Sequence, residues 1–142
     1  MRQVKHLLAG KDGAIHATTP DAPVLAAITS MAEHYVGALL VMQGAQLAGI
    51  VSERDYARKV VLKGRSSSAT PVADIMTADV VTVGPEDSVE HCMRVCTQHR
   101  IRHLPVLDGG RVVGVLSIGD LVKAVIDDQG EQIEHLQRYI AG

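Results

Sequence analysis

The sequence predicts an α/β fold made of two copies of one small unit, and three observations predict it. The phrase GIVSERD at 49–55 returns as GVLSIGD at 114–120, with Gly, Ser and Asp kept and the residues between them varied. Shifting the chain by 65 (114 − 49) then lays residues 17–61 on 82–126 without a gap. Pro20 falls on Pro85, Val24 on Val89, His34 on His99, Leu39 on Leu104, Val41 on Val106, Gly44 on Gly109, Ser52 on Ser117 and Asp55 on Asp120. Within each copy the apolar residues pass from helical spacing to short continuous runs and back again. A repeat of this length sets the architecture before any motif does.

Taken in order, each copy opens on a short extended segment, AIHAT in the first and VVTV in the second. Pro20 and Pro85 stand just ahead of a helix. Its apolar positions are Val24, Ala27, Ile28 and Met31, or Val89, Cys92, Met93 and Cys96, the i, i+3, i+4, i+7 spacing of one buried face. Two strands follow, GALLVM with LAGIVS and HLPVL with VVGVLS, joined by QGAQ and DGGR, which have hairpin-turn chemistry. A second helix starts after Ser52 (ERDYARKVVL) and after Ser117 (IGDLVKAVI). The polar stretch KGRSSSATP connects the copies. Ahead of the first copy, VKHLL at 4–8 resembles VADIM at 72–76 at a slightly larger shift, so about three extra residues fall around Lys11–Gly13. One copy has little apolar surface to bury, so the two are expected to pack as one pseudo-twofold unit. In the tail, Ile133, Leu136 and Ile140 form one helical stripe, which would cover the chain's own domain or a partner subunit.

Composition narrows the function. A formal charge of −2 and a pI near 6.4 leave no electrostatic footprint for nucleic acid or an anionic membrane. With no Phe or Trp and only Tyr35, Tyr56 and Tyr139, the chain lacks an aromatic platform for single strands. The basic start MRQVKHLLAGK has too short an apolar core for a secretory signal or a membrane span. The expected location is therefore cytoplasmic, with a processed organellar protein as the alternative, and no nucleic acid or membrane is expected as partner. Two cysteines make no disulfide framework.

The repeated phrase has two readings. Ser-x-x-Asp at a strand-to-helix junction is a capping box, in which the Ser oxygen accepts a free helical N–H and the acid reaches back. The same geometry suits a ligand. Free N–H groups at a helix start favour an anion, the preceding Gly allows close backbone approach, and the Asp can accept from two ribose hydroxyls. The readings are compatible, because a site can use the groups that cap its helix.

VADIMTADVVTVGPEDSV with HRIRHLPVLDGGRVVGVLSIGD, and AIHATTPDAPV with VGALLVMQGAQLAGIVSERD, resemble a tandem pair of CBS domains over about residues 4–127. Glu53–Lys59 and Gly64–Ser67 also resemble a stand-alone subgroup of that family. The resemblance implies two β-α-β-β-α repeats forming a Bateman-type module: repeat 1 over 4–62, a linker over 63–71, repeat 2 over 72–127 and a helical tail over 128–142. It implies adenosine-nucleotide binding (AMP, ATP or NAD) in a cleft between the repeats, a homodimer and a protein target regulated in trans. No cofactor is required; the nucleotide is a regulatory ligand.

Carried onto this sequence, the resemblance makes Asp55 and Asp120 the ribose binders, with Ser52 and Ser117 facing ribose or phosphate. Gly37 and Ala38 in one copy, and Arg102 and His103 in the other, match the strand bordering base and phosphate. Thr77, Ala78 and Val80 match the segment that reads the adenine edge, with Gly13, Ala14 and Ile15 as counterparts. Arg54, Arg58, Lys59 and Arg65 lie near Asp55 in sequence and could all be a solvated helix face and linker; of the four only Arg54 is placed in the pocket. The copies differ at Arg54/Gly119, Leu40/Pro105 and Gly37–Ala38/Arg102–His103, so unequal sites are expected.

Other chemistries fit less well. Cys92, Cys96, His99 and His103 suggest a metal, but both cysteines hold core positions of the repeat and the spacing suits no common zinc motif. No nucleophile-base pattern or P-loop is present, so no enzyme is expected. The alternative to a nucleotide sensor is an interaction or dimerisation module whose nucleotide clefts are vestigial.

Overall fold

A computed structural model describes the backbone of residues 2–11 and 13–141, and their side chains except at 133, 135, 136 and 139–141. The elements in chain order are α1 (Val4–Ala9), β1 (Ala17–Thr18), α2 (Val24–His34), β2 (Ala38–Gln43), β3 (Gln46–Ser52) and α3 (Glu53–Tyr56). After a 3-10 turn at Val72–Asp74 come α4 (Val89–His99), β4 (His103–Asp108), β5 (Arg111–Ser117) and α5 (Ile118–Ala141). Among the described residues, no helix is long and apolar enough to cross a membrane.

The repeat holds to the level of single hydrogen bonds. In one copy β2 and β3 pair antiparallel, with Ala38 opposite Ser52; in the other β4 and β5 pair likewise, with His103 opposite Ser117. Both hairpins carry the same bulge. Val41 faces Gly49 and Met42 faces Leu47, so Ala48 is extra; Val106 faces Gly114 and Leu107 faces Val112, so Val113 is extra. Positive φ at Gly109 (58°) and Gly110 (81°) closes the second hairpin as a two-residue turn that only glycine-like residues adopt at low cost. The expected leading strand forms in the first copy, where β1 runs parallel to β2. In the second, VVTV shrinks to a single bridge between Val83 and Val106, although Val83 still binds the Pro105 carbonyl and the Leu107 N–H.

The expected helical faces are the core. Val24, Ala27, Met31, Val89, Cys92 and Cys96 are buried, with Ile28 and Met93 half-buried at equivalent places. Leu39, Val41, Val51 and Val60 complete one core; Leu104, Val106, Leu116 and Leu121 are buried in the other copy. The second helix of the first copy departs from expectation. After the single turn of α3, residues Ala57–Val61 are π-helical, with the Leu62 N–H reaching back to the Ala57 carbonyl. In the second copy the matching residues stay in α5, which continues through Gly130 to Ala141. The stripe of Ile133, Leu136 and Ile140 lies on this helix, but those side chains are outside the described residues.

Packing does not follow chain order. The chain divides into one compact unit of residues 15–81 and another of 1–14 with 82–142. The segment ahead of each repeat therefore packs on the other repeat. In the first unit the Thr70 carbonyl accepts from the Val24 N–H at the start of α2, Val72 donates to the Ala22 carbonyl and Ala73 to the Pro20 carbonyl. In the second unit the Arg2 carbonyl accepts from Val89, Val4 donates to Asp87 and Lys5 to Pro85. These are the same bonds, with the leading segments related by a shift of 68 and the repeats by 65. Pro23 at the N-cap of α2 has no side chain to cap with, so the connector carbonyls of Thr70 and Ser67 do that work.

α2 and α4 each end on a non-glycine residue in the left-handed conformation, Tyr35 and Arg100, both at φ 54°. Tyr35 is 96% exposed, so its side chain contributes no packing there. Tyr35→Gly is expected to raise the stability of the protein by about 0.5–1 kcal/mol in urea unfolding, because glycine meets no Cβ penalty in that conformation.

Candidate functional site

Both copies of the repeated phrase form the same local structure. β3 delivers Ser52 in extended conformation (φ −128°, ψ 165°), and its Oγ accepts the Asp55 N–H at 3.2 Å. Asp55 Oδ2 in return accepts the Ser52 N–H at 2.9 Å and the Ser52 hydroxyl at 3.1 Å. In the second unit Ser117 Oγ accepts the Asp120 N–H at 3.1 Å and Asp120 Oδ2 accepts the Ser117 N–H at 2.8 Å. The capping box is therefore real in both copies. A carboxylate has about four lone-pair sites, so capping leaves each one acceptor capacity.

Several of the expected site residues gather around these caps. The Gly37 carbonyl accepts the Glu53 N–H at 3.0 Å, and the Arg102 carbonyl accepts the Ile118 N–H at 2.8 Å. Ala38 and His103 sit opposite the two cap serines. Thr77 pairs with Ile50 through both main-chain bonds, which brings the Thr77–Val80 segment beside β3, two residues before Ser52. Ala78 and Val80 follow along it, the Val80 N–H bonding the Ala78 carbonyl at 3.1 Å. Arg54 is exposed on the first turn, and among the described residues its side chain makes no hydrogen bond or ion pair. Gly13 is exposed at φ 77° in the unit of Asp120, whereas Ile15 belongs to the unit of Asp55.

Two lysines were not among the expected site residues. Lys59 Nζ lies 3.2 Å from Asp55 Oδ1 and donates to the Ile75 carbonyl at 2.8 Å, so it is not merely part of a solvated face. Its i, i+4 spacing from Asp55 is the signal that could have found it. Lys11 Nζ donates to Asp120 Oδ2 at 2.8 Å and to the Val115 carbonyl at 2.9 Å, across a gap in sequence that leaves no local signal. Arg65 pairs with Asp74 at 2.7 Å, away from the cap.

The glycines opening the phrase serve a different purpose from the one expected. A Cβ at Gly49 would stand 2.8 Å from Met76 Sδ and from the Thr77 carbonyl oxygen, and one at Gly114 would stand 2.5 Å from Leu8 Cδ2. The close approach is made by the leading segments, not left open for a ligand.

Burial of Asp120 pushes its carboxyl up, but hydrogen bonds from Lys11 and Ser117, with the Lys11 charge, outweigh burial and hold it below the ordinary value of 3.8. A lowered folded-state value means that stability from this group is complete above the unfolded value and is lost as pH falls through the folded one. Lys11→Met removes the partner. The stability gap between wild type and Lys11→Met in urea unfolding is therefore expected to be widest near neutral pH and to close below about pH 4.

Cys92 and Cys96 are free and buried; burial, with the charge of Asp87, pushes the Cys92 thiol up to about 11, and burial raises Cys96 too. Such thiols stay protonated and are poor metal ligands and nucleophiles at neutral pH. Among the described residues no group of three His, Cys, Asp or Glu side chains is placed to hold a metal.

The chain is similar to known proteins over most of its length. The family model for the CBS domain matches residues 14–62 and 72–127. A mitochondrial CBS domain-containing protein of Arabidopsis thaliana, CBSX3, is 44% identical over 136 residues, covering 92% of this chain and 66% of its own length. The chain thus spans about two thirds of that relative. A solved protein with CBS domains from Burkholderia ambifaria MC40-6 is 54% identical with a TM-score of 0.87, over 90% of this chain and 96% of that one. The CBS domain protein PAE2072 from Pyrobaculum aerophilum, solved in complex with AMP, is 26% identical with a TM-score of 0.75, over 84% and 89% of the two chains.

Proposed function

The chain belongs to the CBS-domain family as a pair of repeats, a regulatory type of module, and from that premise we propose that it senses adenosine nucleotides: AMP, ATP or NAD. The observation that carries this reading is the repeated cap. Each unit presents an aspartate side chain, 16% exposed at Asp55 and 29% at Asp120, that retains acceptor capacity after capping its helix. Such a group suits the two hydroxyls of a ribose. The AMP complex of the Pyrobaculum protein supports the choice of ligand class.

In this reading Asp55 and Asp120 accept from the ribose and Ser52 and Ser117 lie beside them. Gly37 with Ala38, and Arg102 with His103, border base and phosphate. The main chain of Thr77–Val80 meets the adenine edge at Asp55, with Gly13 in the corresponding place at Asp120. Arg54, exposed and without a side-chain partner among the described residues, meets phosphate. The module performs no chemistry on its ligand; it reports energy or redox state to a protein target in trans.

The two sites are unequal in this reading, since Arg54 corresponds to Gly119 in the repeat and Gly37–Ala38 to Arg102–His103. Calorimetric titration with AMP, ATP and NAD is expected to show one site, or two with different affinities. Two identical independent sites would contradict the asymmetry.

A second reading is favoured by a different observation. Leu62 (77% exposed), Ile126 (61%) and Val61 (56%) leave apolar surface on the second helical segment of each repeat. That surface suits a homodimer, and an interaction module needs no nucleotide. A flat titration with all three nucleotides, together with a dimer in sedimentation, would favour this alternative.

A further inference from the structure

We propose that Lys11 is a built-in competitor at the Asp120 site: its ammonium holds the carboxylate that a ribose needs, so nucleotide enters by displacing it. This rests on the nucleotide reading above and concerns how one of its two sites is controlled.

The position of the ammonium carries the inference. Lys11 Nζ bridges Asp120 Oδ2 (2.8 Å) and the Val115 carbonyl (2.9 Å). Val115 is the repeat counterpart of Ile50, whose carbonyl accepts the main-chain N–H of Thr77 at 2.9 Å. Thr77 opens the segment bordering the Asp55 site. The ammonium therefore stands where the other unit has site-bordering main chain, and from there it reaches the aspartate.

The tie is particular to this unit. Asp55 takes its lysine from one turn further along its own helical segment, and the repeat counterpart of that Lys59 is Ala124, which is buried. By the shift that pairs Val4 with Val72 and Leu8 with Met76, the counterpart of Lys11 is Asp79, whose charge could not hold Asp55. Lys11 and Asp120 side chains are 37% and 29% exposed, so a hydroxyl can reach the pair. An ammonium–carboxylate bond at that exposure is weak enough to be displaced, yet it must be broken or shared before the ribose binds.

The test uses the full-length chain carrying Asp55→Asn, which weakens the first site and leaves binding at Asp120 to be read by calorimetry. Adding Lys11→Met should tighten both AMP and adenosine about fivefold, the range of a partly exposed ion pair. Lys11→Arg, which keeps the charge, should leave both near the parent values. Unchanged affinities in Lys11→Met would overturn the proposal. So would weaker AMP binding with unchanged adenosine, since Lys11 would then be a phosphate ligand. If wild type binds AMP at Asp55 and Lys11→Met changes nothing at Asp120, only this inference falls. If neither wild type nor any variant binds AMP or adenosine, the nucleotide reading falls and takes this one with it.

Discussion

Gly49→Ala is expected to destabilise the protein by about 2–3 kcal/mol, the cost of forcing extra volume into a packed site whose neighbours cannot yield. The new methyl carbon would meet Met76 Sδ and the Thr77 carbonyl oxygen, each at 2.8 Å. The sulfur can swing away, but the carbonyl cannot. It accepts the Ile50 N–H at 3.0 Å, while the Thr77 N–H bonds the Ile50 carbonyl at 2.9 Å. Relieving the clash therefore breaks the pairing that holds the Thr77–Val80 segment. Gly114→Ala has a nearer clash, 2.5 Å, but only with the end of the Leu8 side chain, which can rotate. Its cost should be about 1 kcal/mol. Urea unfolding of both variants checks the order; a costlier Gly114→Ala would contradict the packing described for the leading segments.

Asp55→Asn and Asp120→Asn are expected to weaken nucleotide binding about tenfold or more at their own sites. A hydrogen bond to a charged group contributes roughly 1.5–3 kcal/mol, and the amide keeps the shape while losing the charge. The caps survive in large part. The Asn side-chain oxygen can still accept the Ser52 or Ser117 N–H, and the serine oxygens still accept the N–H three residues on. Stability should therefore fall by at most about 1 kcal/mol. Binding and melting temperature then respond differently. Variants that bind like wild type but melt much earlier would make the repeated phrase a helix cap and nothing more.

Local pattern made much of this molecule legible. The helical faces of α2 and α4, the two hairpins and the buried cysteines all follow from periodicity and turn chemistry, which act over a few residues and leave their mark in sequence. The capping boxes were readable for the same reason. The exchange of leading segments was not, because the bonds from Val4 to Asp87 and from Val72 to Ala22 are set by tertiary packing. The shift of 68 between VKHLL and VADIM was its one trace. The purpose of Gly49 is not legible in sequence, because a missing side chain shows that something comes close, not what. Lys59 was readable as an i, i+4 partner of Asp55. Lys11 was not, since no rule of spacing joins positions 11 and 120. The π-helical turn at Ala57–Val61, within which Val60 is buried, has no signature in propensity either.

Whether the repeated aspartates hold a ribose is read most directly by calorimetric titration of wild-type protein with AMP and with its 2′,3′-dideoxy analogue. The analogue keeps base and phosphate and lacks only the hydroxyls that the carboxylates would accept. AMP is expected to bind about tenfold or more tightly than the analogue, and Asp55→Asn with Asp120→Asn is expected to abolish the difference. Equal affinity of wild type for the two ligands would contradict it.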